Sequence, residues 1–372
     1  MDVLYLSISM GAGHLRAAEA LKEYVDQMYP KSRSLVIDTF KYINPLVHKF
    51  FVDGYLTIVR NIPGAYGSLY RMSEQFDNIN SLSRTLSKLF SFRLAKLIEE
   101  FSPSIIVCTH PFPLQIVSYL KKQKKINVPS IGILTDYVNH PFWFHDNIEA
   151  YVVAHDKIKQ EMVNSGTPEN HVYPYGIPVS KVFLQRKIRE QLLCRYGLED
   201  KFTVLIMGGS LGFGDIRKAF LSFLNCEKDI QTIVVAGKNK KLKLQLENYL
   251  GQYKKNIHLV GYSNEIYTLM DIADIIVTKP GGMTITEALI KELPIFIMSP
   301  IPGQEERNSH FLTSTGAAES ISKDADVYTL IRKLIDNPYK LAEMKEKSKK
   351  LSTPDSGYRI VQLMEKLVNE HH

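Results

Sequence analysis

The sequence predicts an α/β protein made of two doubly wound domains, each with a parallel sheet that helices cover on both faces. Short apolar runs alternate with longer segments of helical periodicity, which is typical of strand–helix–strand units in a parallel sheet. This alternation occurs in two series, separated by a turn-rich connector. The chain has 372 residues, more than one hydrophobic core usually serves. We therefore expect two domains that face a central cleft, with ligands at the carboxyl ends of the strands.

The first series begins with an apolar run at residues 3–8, which predicts a strand. Residues 15–28 predict a helix, because Ala17, Leu21 and Val25 recur on one stripe. Further strands are predicted at residues 34–38, 105–108, 130–134 and 150–153. The series ends at residues 173–178, where prolines and a glycine favour a turn. The first domain is accordingly assigned to residues 1–176.

The second series repeats the same pattern after the connector. Strands are predicted at residues 203–207, 232–236, 258–260, 275–277 and 295–298. The second domain is assigned to residues 177–354. Residues 355–372 predict a C-terminal helix that could pack back on the first domain.

Residues from about 40 to 93 interrupt the first series with a segment of helical tendency that is rich in aromatic and basic side chains. The aromatic residues are Phe40, Tyr42, Phe50, Phe51, Tyr55, Tyr66, Tyr70, Phe76, Phe90 and Phe92, and the basic residues are Lys41, Lys49, Arg60, Arg71, Arg84, Lys88 and Arg93. This composition on amphipathic helices is typical of segments that lie in a membrane interface. An ordinary core position is the alternative for each single aromatic residue. For the segment as a whole we expect contact with an anionic membrane surface.

Charge and cysteine content narrow the class of protein. The net charge of +7 favours anionic partners such as nucleic acid, acidic lipid headgroups or phosphorylated substrates. Cys108, Cys194 and Cys226 are far apart, which disfavours a zinc site or a disulfide framework and is typical of a reducing cytoplasm. The sequence shows no signal-peptide pattern and no run of about 18 apolar residues. Any membrane contact is therefore expected to be peripheral.

A glycine turn follows the first predicted strand, where Gly11, Ala12, Gly13 and His14 lead directly into the first helix. Glycine allows close approach of a ligand to the backbone, and free amides at a helix start favour an anion or a polar oxygen. A histidine at this place can act as a general base near neutral pH. The alternative is that His14 only caps the helix.

A second polar group in the first domain begins with Thr135 and Asp136 after a strand, and continues with His140-Pro141-Phe142-Trp143-Phe144-His145. A cluster of histidine and aspartate can bind a metal ion, but the spacing here is irregular, so no metal site is predicted. Aromatic rings beside polar groups suit a sugar or the glycerol of a lipid. These residues are therefore candidates for binding an acceptor.

The second domain carries two glycine turns. Residues 208–212 follow its first strand and could contact a phosphate, line the cleft or serve only as a turn. Residues 278–284 follow a later strand and open a helix, so that their glycines and free amides form a phosphate cradle without the spacing of a Walker loop. Glu287, one turn into that helix, can accept both hydroxyls of a ribose. A solvated glutamate is the alternative.

A Pro-Gly turn at residues 300–308 follows the next strand and carries several polar side chains. Polar groups on a rigid turn at the end of a strand suit the binding of sugar hydroxyls. A charged surface loop is an equally simple interpretation of these residues taken alone.

Nearly the whole chain resembles the bacterial processive diacylglycerol β-glucosyltransferases and the plant monogalactosyldiacylglycerol synthases. The resemblance rests on Gly11 to His14, on Thr135-Asp136 with Trp143-Phe144-His145, on Lys279 to Gly282 with Thr286-Glu287-Ala288, and on Pro302 to Glu305. It implies the two-domain GT-B fold and inverting transfer of a hexose, with glucose favoured, from a UDP-sugar to diacylglycerol or glycosyl-diacylglycerol. It also implies a reaction without a cofactor or an Asp-x-Asp metal site, at the cytoplasmic face of the cell membrane.

The resemblance gives individual residues their expected roles. Glu287 is expected to bind the ribose, Gly281, Gly282, Met283 and Thr284 the diphosphate, Gln304 and Glu305 the sugar hydroxyls, and the backbone near Tyr262 the uracil. Gly209 and Ser210 complete the predicted donor site, and Gly13, His140, Trp143 and His145 form the predicted acceptor site. In the plant branch an aspartate shortly precedes the glycine loop, whereas Ser9 stands here. His14 and Asp136 therefore remain as candidates for the catalytic base.

Three alternatives stay open on the sequence alone. A lipid-linked N-acetylglucosamine transferase of peptidoglycan synthesis shares the fold and the donor, although the aromatic segment and the Pro-Gly-Gln-Glu turn favour the diacylglycerol branch. A non-catalytic nucleotide-sugar sensor could use the same cleft. Nucleic-acid binding would explain the charge, but no recognisable module supports it.

Overall fold

The computed structural model describes residues 1–62, 64, 67–68, 70, 72, 77–209, 212, 215–224, 230–250, 257–322 and 324–371. The predictions for Tyr66, Arg71, Phe76 and Ser210 lie outside the described residues. The chain forms two compact units, the first made of Met1–Lys181, Pro302–Gln304 and Thr353–His372, and the second of Val182–Ile301 and Glu305–Ser352. The boundary placed at residue 176 from the sequence lies shortly before the chain first leaves the first unit.

A six-stranded parallel sheet forms the centre of the first unit. Its strands are β1 (Val3–Ser7), β2 (Ser34–Asp38), β3 (Ile105–Cys108), β4 (Ser130–Ile133), β5 (Ala150–Val152) and β6 (Val172–Tyr173), in the order β2-β1-β3-β4-β5-β6. The helices between them are α1 (Gly13–Met28), α2 (Thr39–Ile43), α3 (Pro45–Asn61), α4 (Asp77–Phe101), α5 (Pro111–Lys122) and α6 (Asp156–Asn164). The predicted apolar stripe of α1 is buried, as its helical spacing requires.

The second unit contains another six-stranded parallel sheet. Its strands are β7 (Phe202–Met207), β8 (Ile230–Val235), β9 (Ile257–Val260), β10 (Ile275–Thr278), β11 (Ile295–Ile297) and β12 (Ala318–Ser320), in the order β12-β11-β10-β7-β8-β9. The helices in this part of the chain are α7 (Arg189–Tyr196), α8 (Ile216–Leu224), α9 (Lys240–Leu250), α10 (Ile266–Ile272), α11 (Gly282–Ile290), α12 (Gln304–Thr315), α13 (Val327–Ile335) and α14 (Pro338–Leu351). Apolar side chains from β7, β8, β10, α8 and α13 form its core.

Both sheets have a point where the strand order reverses, and this point decides where a ligand is expected. In the first sheet β1 lies between β2 and β3, and in the second β7 lies between β8 and β10. The order reverses between β1 and β3 in the first sheet and between β7 and β10 in the second. The loops that follow two such strands run to opposite sides of the sheet, so a crevice opens at the carboxyl ends of the strands. The glycine turns recognised in the sequence follow β1, β7 and β10 and therefore lie at these two points.

The last helix, α15 (Ser356–His371), belongs to the first unit and packs on α1. A Cβ atom at Gly357 would lie only 2.3 Å from the ring of Tyr24, so a glycine is needed for this close approach. The rings of Tyr24 and Tyr358 meet edge to face at 4.9 Å. The first unit therefore includes a helix, α15, that follows the second unit in the sequence.

The short segment Pro302–Gln304 is also part of the first unit, whereas the sequence analysis places it in the second domain. A Cβ atom at Gly67 would lie 2.4 Å from the Cβ of Pro302, and one at Gly303 would lie 2.8 Å from the ring of Tyr70. Two glycines therefore allow this segment to lie against the helical region that follows α3.

The helical region between β2 and β3 contains both core and surface aromatic residues. Phe40 and Phe90 are buried, and their ring centroids lie 4.8 and 6.3 Å from that of Phe112. Leu46 of α3 and Phe50 on the same helix are 77% and 76% exposed, and Phe92 of α4 is 74% exposed. A core position is therefore correct for Phe40 and Phe90. Within the described part of the chain, no helix is both long enough and apolar enough to cross a bilayer.

Candidate active site

His14 lies at the point of strand-order reversal in the first sheet, on the first turn of α1. Its Nδ1 atom is 2.8 Å from the carbonyl oxygen of Thr109, which follows β3, and 2.8 Å from Oγ1 of Thr135, which follows β4. A carbonyl oxygen can only accept, so Nδ1 carries the proton of the neutral ring and donates it. The lone pair is then on Nε2, the nitrogen that can take up a proton. His14 does not cap α1, because the N-cap is Ala12 and no side chain caps it.

The surroundings of His14 favour the neutral imidazole. Burial lowers the pKa of His14 below its usual value of 6.5, while the Asp136 carboxylate and the bond to Thr109 act in the opposite direction and are outweighed. The ring of His110 contacts that of His14 edge to face at 4.8 Å. Burial, with the nearby His14, also lowers the pKa of His110 well below 6.5. A neutral His14 at neutral pH is what a general base requires.

Asp136, the second candidate for the base, is held by Gln304. The side-chain amide of Gln304 donates a hydrogen bond to Oδ2 of Asp136, and both residues belong to the first unit. The two residues are separated by 168 positions in the sequence, which explains why no local pattern predicts this contact. Gln304, which is predicted from the sequence to bind sugar hydroxyls, lies beside Asp136, whose negative charge acts on His14.

The predicted acceptor residues have well-defined structural surroundings. His140 is buried, and its Nδ1 accepts a hydrogen bond of 3.2 Å from the backbone of Phe142, so that it caps a short 3₁₀ turn. Trp143 is 6% exposed. The hydroxyl of Tyr151 bonds to both backbone groups of His145, at 3.0 and 2.8 Å. The roles of these three residues and of Gly13, the first residue of α1, in binding an acceptor remain predictions.

In the second unit, α11 begins at the point of strand-order reversal, directly after β10. Gly281 is its N-cap, and a Cβ atom there would meet nothing within 4 Å, so space for a ligand exists beside the turn. Gly282, Met283 and Thr284 form the first turn of α11, and its amides have no partners inside the helix. Such an amide cluster, at the positive end of a helix, binds phosphate.

Two side chains from α12 hold this turn in place. Oε1 of Glu305 lies 3.0 Å from Nζ of Lys279, and Oε2 accepts a 2.7 Å hydrogen bond from the backbone of Ile301. The buried amide of Asn308 donates to the carbonyl of Pro280 at 3.0 Å. Lys279 and Asn308 are not among the site residues predicted from the sequence, although both lie within the motifs singled out there. Lys279 adjoins the turn in sequence, and its positive charge is paired with Glu305.

Glu287 is 2% exposed and lies in the middle of α11, every residue of which is buried. The alternative of a solvated glutamate is therefore wrong. A buried carboxylate is costly unless polar groups surround it, which favours a specific role at this place. Ribose binding by Glu287 remains a prediction.

The other predicted donor residues lie after β7 and β9. Gly209 has a φ of +70°, a conformation that favours glycine, and a Cβ atom there would meet nothing within 4 Å. Tyr262 follows β9 and is 54% exposed, with Nζ of Lys238 5.1 Å from its ring centroid. An exposed aromatic residue beside a cation is suitable for contact with a nucleobase. Among the described residues, no three His, Cys, Asp or Glu side chains are grouped so that they could hold a metal ion.

Two family models and several curated proteins are similar to this chain in sequence. Residues 14–179 match the family model described as monogalactosyldiacylglycerol (MGDG) synthase, and residues 203–360 match the glycosyltransferase family 28 C-terminal domain. The processive diacylglycerol beta-glucosyltransferase of Bacillus licheniformis is 30% identical, over 96% of this chain and 92% of the relative. That of Bacillus pumilus is 31% identical, over 97% of this chain and 93% of the relative.

Solved structures share the fold at lower identity. MurG of Acinetobacter baumannii has a TM-score of 0.61 at 15% identity, with 98% of this chain and 99% of that chain covered. The UDP-GlcNAc 2-epimerase of Neisseria meningitidis, bound to UDP-GlcNAc, has a TM-score of 0.63 at 15% identity, with 98% and 100% covered. A transferase and an epimerase match equally well, so this likeness establishes the fold and leaves the reaction open.

Two doubly wound sheets with a helix amino terminus at the second reversal point define the GT-B class of fold, as the sequence analysis predicts. The sequence relatives are more specific than the fold. The chain belongs to the family of the processive diacylglycerol β-glucosyltransferases.

Proposed function

We propose that this protein transfers a hexose, with glucose favoured, from a UDP-sugar to diacylglycerol or glycosyl-diacylglycerol, with inversion at the anomeric carbon. The single observation that supports the chemistry best is the state of His14. Its Nδ1 is bound to a backbone carbonyl, burial lowers its pKa, and Nε2 is left as the basic atom. Family membership supports the choice of donor and acceptor.

In the proposed reaction His14 Nε2 accepts the proton of the acceptor hydroxyl. The hydroxyl oxygen forms the new bond to the anomeric carbon, and the bond from that carbon to the diphosphate oxygen breaks. The electron pair leaves with UDP, whose negative charge is stabilised by the amides of the first turn of α11 and by Lys279. The Asp136 carboxylate, held by Gln304, stabilises the imidazolium that forms.

The second unit is the proposed donor site. The diphosphate binds at Gly281 to Thr284, the ribose at Glu287, and the uracil beside Tyr262. Glu305 fixes Lys279 and the backbone of Ile301, so its contribution to sugar binding includes holding this turn. UDP-sugar is the substrate, and the proposal includes no cofactor.

The first unit is the proposed membrane-binding part, on the cytoplasmic face of the cell membrane. Leu46, Phe50 and Phe92 expose large apolar surfaces in a segment that also carries basic side chains. Apolar side chains at an interface and basic groups near anionic lipid add to each other. Peripheral binding would bring the site to its lipid acceptor.

Turnover with defined substrates tests the proposal. Purified protein is mixed with vesicles of phosphatidylglycerol and diacylglycerol and with UDP-glucose, UDP-galactose or UDP-N-acetylglucosamine, and the products are identified by mass spectrometry. We expect hexosyl-diacylglycerol to form fastest from UDP-glucose. A faster product from UDP-galactose would correct the donor, and transfer only from UDP-N-acetylglucosamine would refute the proposal. UDP binding without product from any donor would instead favour a sensor.

A further inference from the structure

A second polar cluster lies at the carboxyl edge of the first sheet, on the other side of the glycine turn from Thr109 and Thr135. Asp38 is the last residue of β2, Ser9 follows β1, and His48 lies in the first turn of α3. Oγ of Ser9 is 2.8 Å from Nε2 of His48, and Oδ2 of Asp38 is 3.4 Å from the same nitrogen. None of the three has a role in the function proposed above.

The geometry excludes a nucleophilic triad. In a triad the histidine uses one nitrogen for the nucleophile and the other for the carboxylate. Here Ser9 and Asp38 share Nε2 of His48, so a proton cannot pass across the ring from one to the other. The cluster is therefore suited to holding groups in place.

What the cluster holds is the backbone of the glycine turn. The amide of Ser9 donates to Oδ2 of Asp38 at 3.2 Å, and the carbonyl of Ser9 accepts from the amide of Gly11 at 3.0 Å. Gly11 has a φ of +93°, a conformation that requires glycine, and α1 begins two residues later with Gly13 and His14. Asp38 therefore fixes the turn that delivers His14 to the sheet edge.

The other oxygen of Asp38 gives the carboxylate a fixed orientation. Oδ1 accepts a 3.2 Å hydrogen bond from the backbone of Lys41 as the N-cap of α2, so both oxygens are engaged by separate backbone donors. An asparagine of the same size has only one accepting oxygen and cannot make both bonds. The side chain of Asp38 is 12% exposed, which limits competition from water.

We propose that Asp38 and His48 are positioning residues, which act through the glycine turn to place His14, and that His48 connects this turn to α3. The helix α3 exposes Leu46 and Phe50 on either side of His48 in sequence. The proposal rests on the role of His14 as base. Under this proposal the position of His14 depends on α3, the helix that also carries the exposed side chains of Leu46 and Phe50.

A double-mutant cycle tests whether Asp38 acts through His14. Turnover of UDP-glucose with diacylglycerol vesicles is measured for the wild type, Asp38→Asn, His14→Ala and the double variant, with UDP affinity from calorimetry. Because small misplacements of a catalytic group are costly, we expect Asp38→Asn to lower kcat by about 10- to 100-fold. UDP affinity should stay within about twofold, since the donor residues are unchanged. In the His14→Ala background the same substitution should lower kcat by less than about twofold, because residues that act through one another are not additive.

Asp326→Asn is the matched control, since Asp326 caps α13 by accepting from the backbone of Thr329 at 2.8 Å and lies in the second unit. It should leave kcat within about twofold of the wild type. His48→Leu and Ser9→Ala remove the Oγ–Nε2 contact and should give smaller losses, of about 3- to 10-fold, with the same lack of additivity. They also carry the test if Asp38→Asn does not fold.

Equal losses in the two backgrounds would overturn the positioning role and leave the base assignment intact. An unchanged kcat in all three cluster variants, with wild-type folding, would overturn it as well. Near-normal turnover of His14→Ala alone would instead refute the base assignment. The failure of the inference and the failure of the proposed function are therefore distinguishable.

Discussion

The two sheets reverse their strand order beside β1 and beside β7, yet the two edges carry different chemistry. At the first edge the polar groups are side chains from several elements: His14, Thr135, Asp136 and His110, together with the carbonyl of Thr109. At the second edge they are mainly backbone amides at the start of α11, supported by Lys279 and Glu305. The fold thus supplies two crevices, and the function proposed above assigns the proton transfer to the first and the diphosphate to the second.

The comparison also shows two ways to hold a reactive group. The first edge keeps a histidine neutral by burial, and a hydrogen bond to a carbonyl orients its ring. The second edge uses glycines and a buried helix, so that a charged ligand finds amides already oriented. Substitutions at the two edges should therefore affect turnover and binding separately, which the following predictions test from the largest effect to the smallest.

The strongest test of this separation between turnover and UDP binding is His14→Ala. We expect turnover on diacylglycerol to fall by about 100- to 10,000-fold, as is typical for the loss of a general base. UDP affinity, measured by calorimetry, should be nearly unchanged. If His14→Ala turned over almost normally while Asp136→Asn abolished turnover, the base would be Asp136.

The opposite pattern is expected at the second edge. Glu287→Gln should weaken UDP binding by about 1–3 kcal/mol, or about 5- to 150-fold, because charged hydrogen bonds to the ribose would be lost. Calorimetry on the folded variant gives the value. Glu343→Gln, on an exposed side chain of α14, is the control and should bind UDP like the wild type. Unchanged affinity in folded Glu287→Gln would remove Glu287 from the donor site.

Membrane binding should distinguish the first unit from the second. Replacing Leu46 and Phe50 together by serine should lower binding to phosphatidylglycerol vesicles by about tenfold, because two exposed apolar side chains would no longer enter the interface. Tyr339→Ser is the control, since Tyr339 is 89% exposed on α14 of the second unit. Vesicle sedimentation over a range of salt gives the result. Equal losses for the double variant and the control would contradict a membrane surface on α3.

The smallest effect concerns stability and pH at the first edge. The pKa of His110 is far below 6.5 in the folded state, so between about pH 6.5 and this lower value only the unfolded chain takes up the proton. His110 therefore contributes stability above about pH 6.5 that is lost as the pH falls, by up to about 1.4 kcal/mol per pH unit. His110→Asn keeps a side-chain cap for α5 and should reduce this slope.

The measurement can be confined to the first unit. Trp143 is the only tryptophan of the chain and is buried there, so its fluorescence during urea unfolding reports on this unit. Unfolding at pH 7.5, 6.5 and 5.5 gives the slope for each protein. His310→Asn, at an exposed position of α12, should leave the slope unchanged. The same slope in His110→Asn and the wild type would show that His110 does not titrate as its burial implies.

Most of the fold follows from the sequence, since the central strands are continuous apolar runs that are buried in both sheets. The strand β6 is missed because it has only two residues, too few for a periodic pattern. The strand β12 has three residues, like the predicted strands β5 and β11, but is also missed. β12, with the sequence Ala-Glu-Ser, lacks apolar character. An apolar run therefore identifies a strand even at the edge of a sheet, as in β2 and β9, and a strand without such a run is missed.

The site is predictable only where it is local in sequence. His14 is recognised because the strand, the glycine turn and the helix start are contiguous. Its partners Thr109 and Thr135 come from strands about 95 and 121 positions away, and no local pattern indicates them. His110 is missed, yet the triplet His-Pro-Phe occurs at residues 110–112 and again at 140–142, and both histidines cap a helical turn through Nδ1. This repeat is the sequence feature that could have indicated that His110 caps a helical turn, as His140 does.

The helix α15 has a consequence for the order in which the protein matures. It packs on α1, the helix whose first turn carries His14, and it follows the whole second unit in the chain. During synthesis the second unit can therefore fold while the first still lacks one of its layers. We expect a nascent chain stopped before residue 353 to bind UDP but to leave α1 sensitive to protease. The second unit, the proposed donor site, would then fold before the first unit is complete. The nascent chain would not transfer sugar until α15 packs on α1.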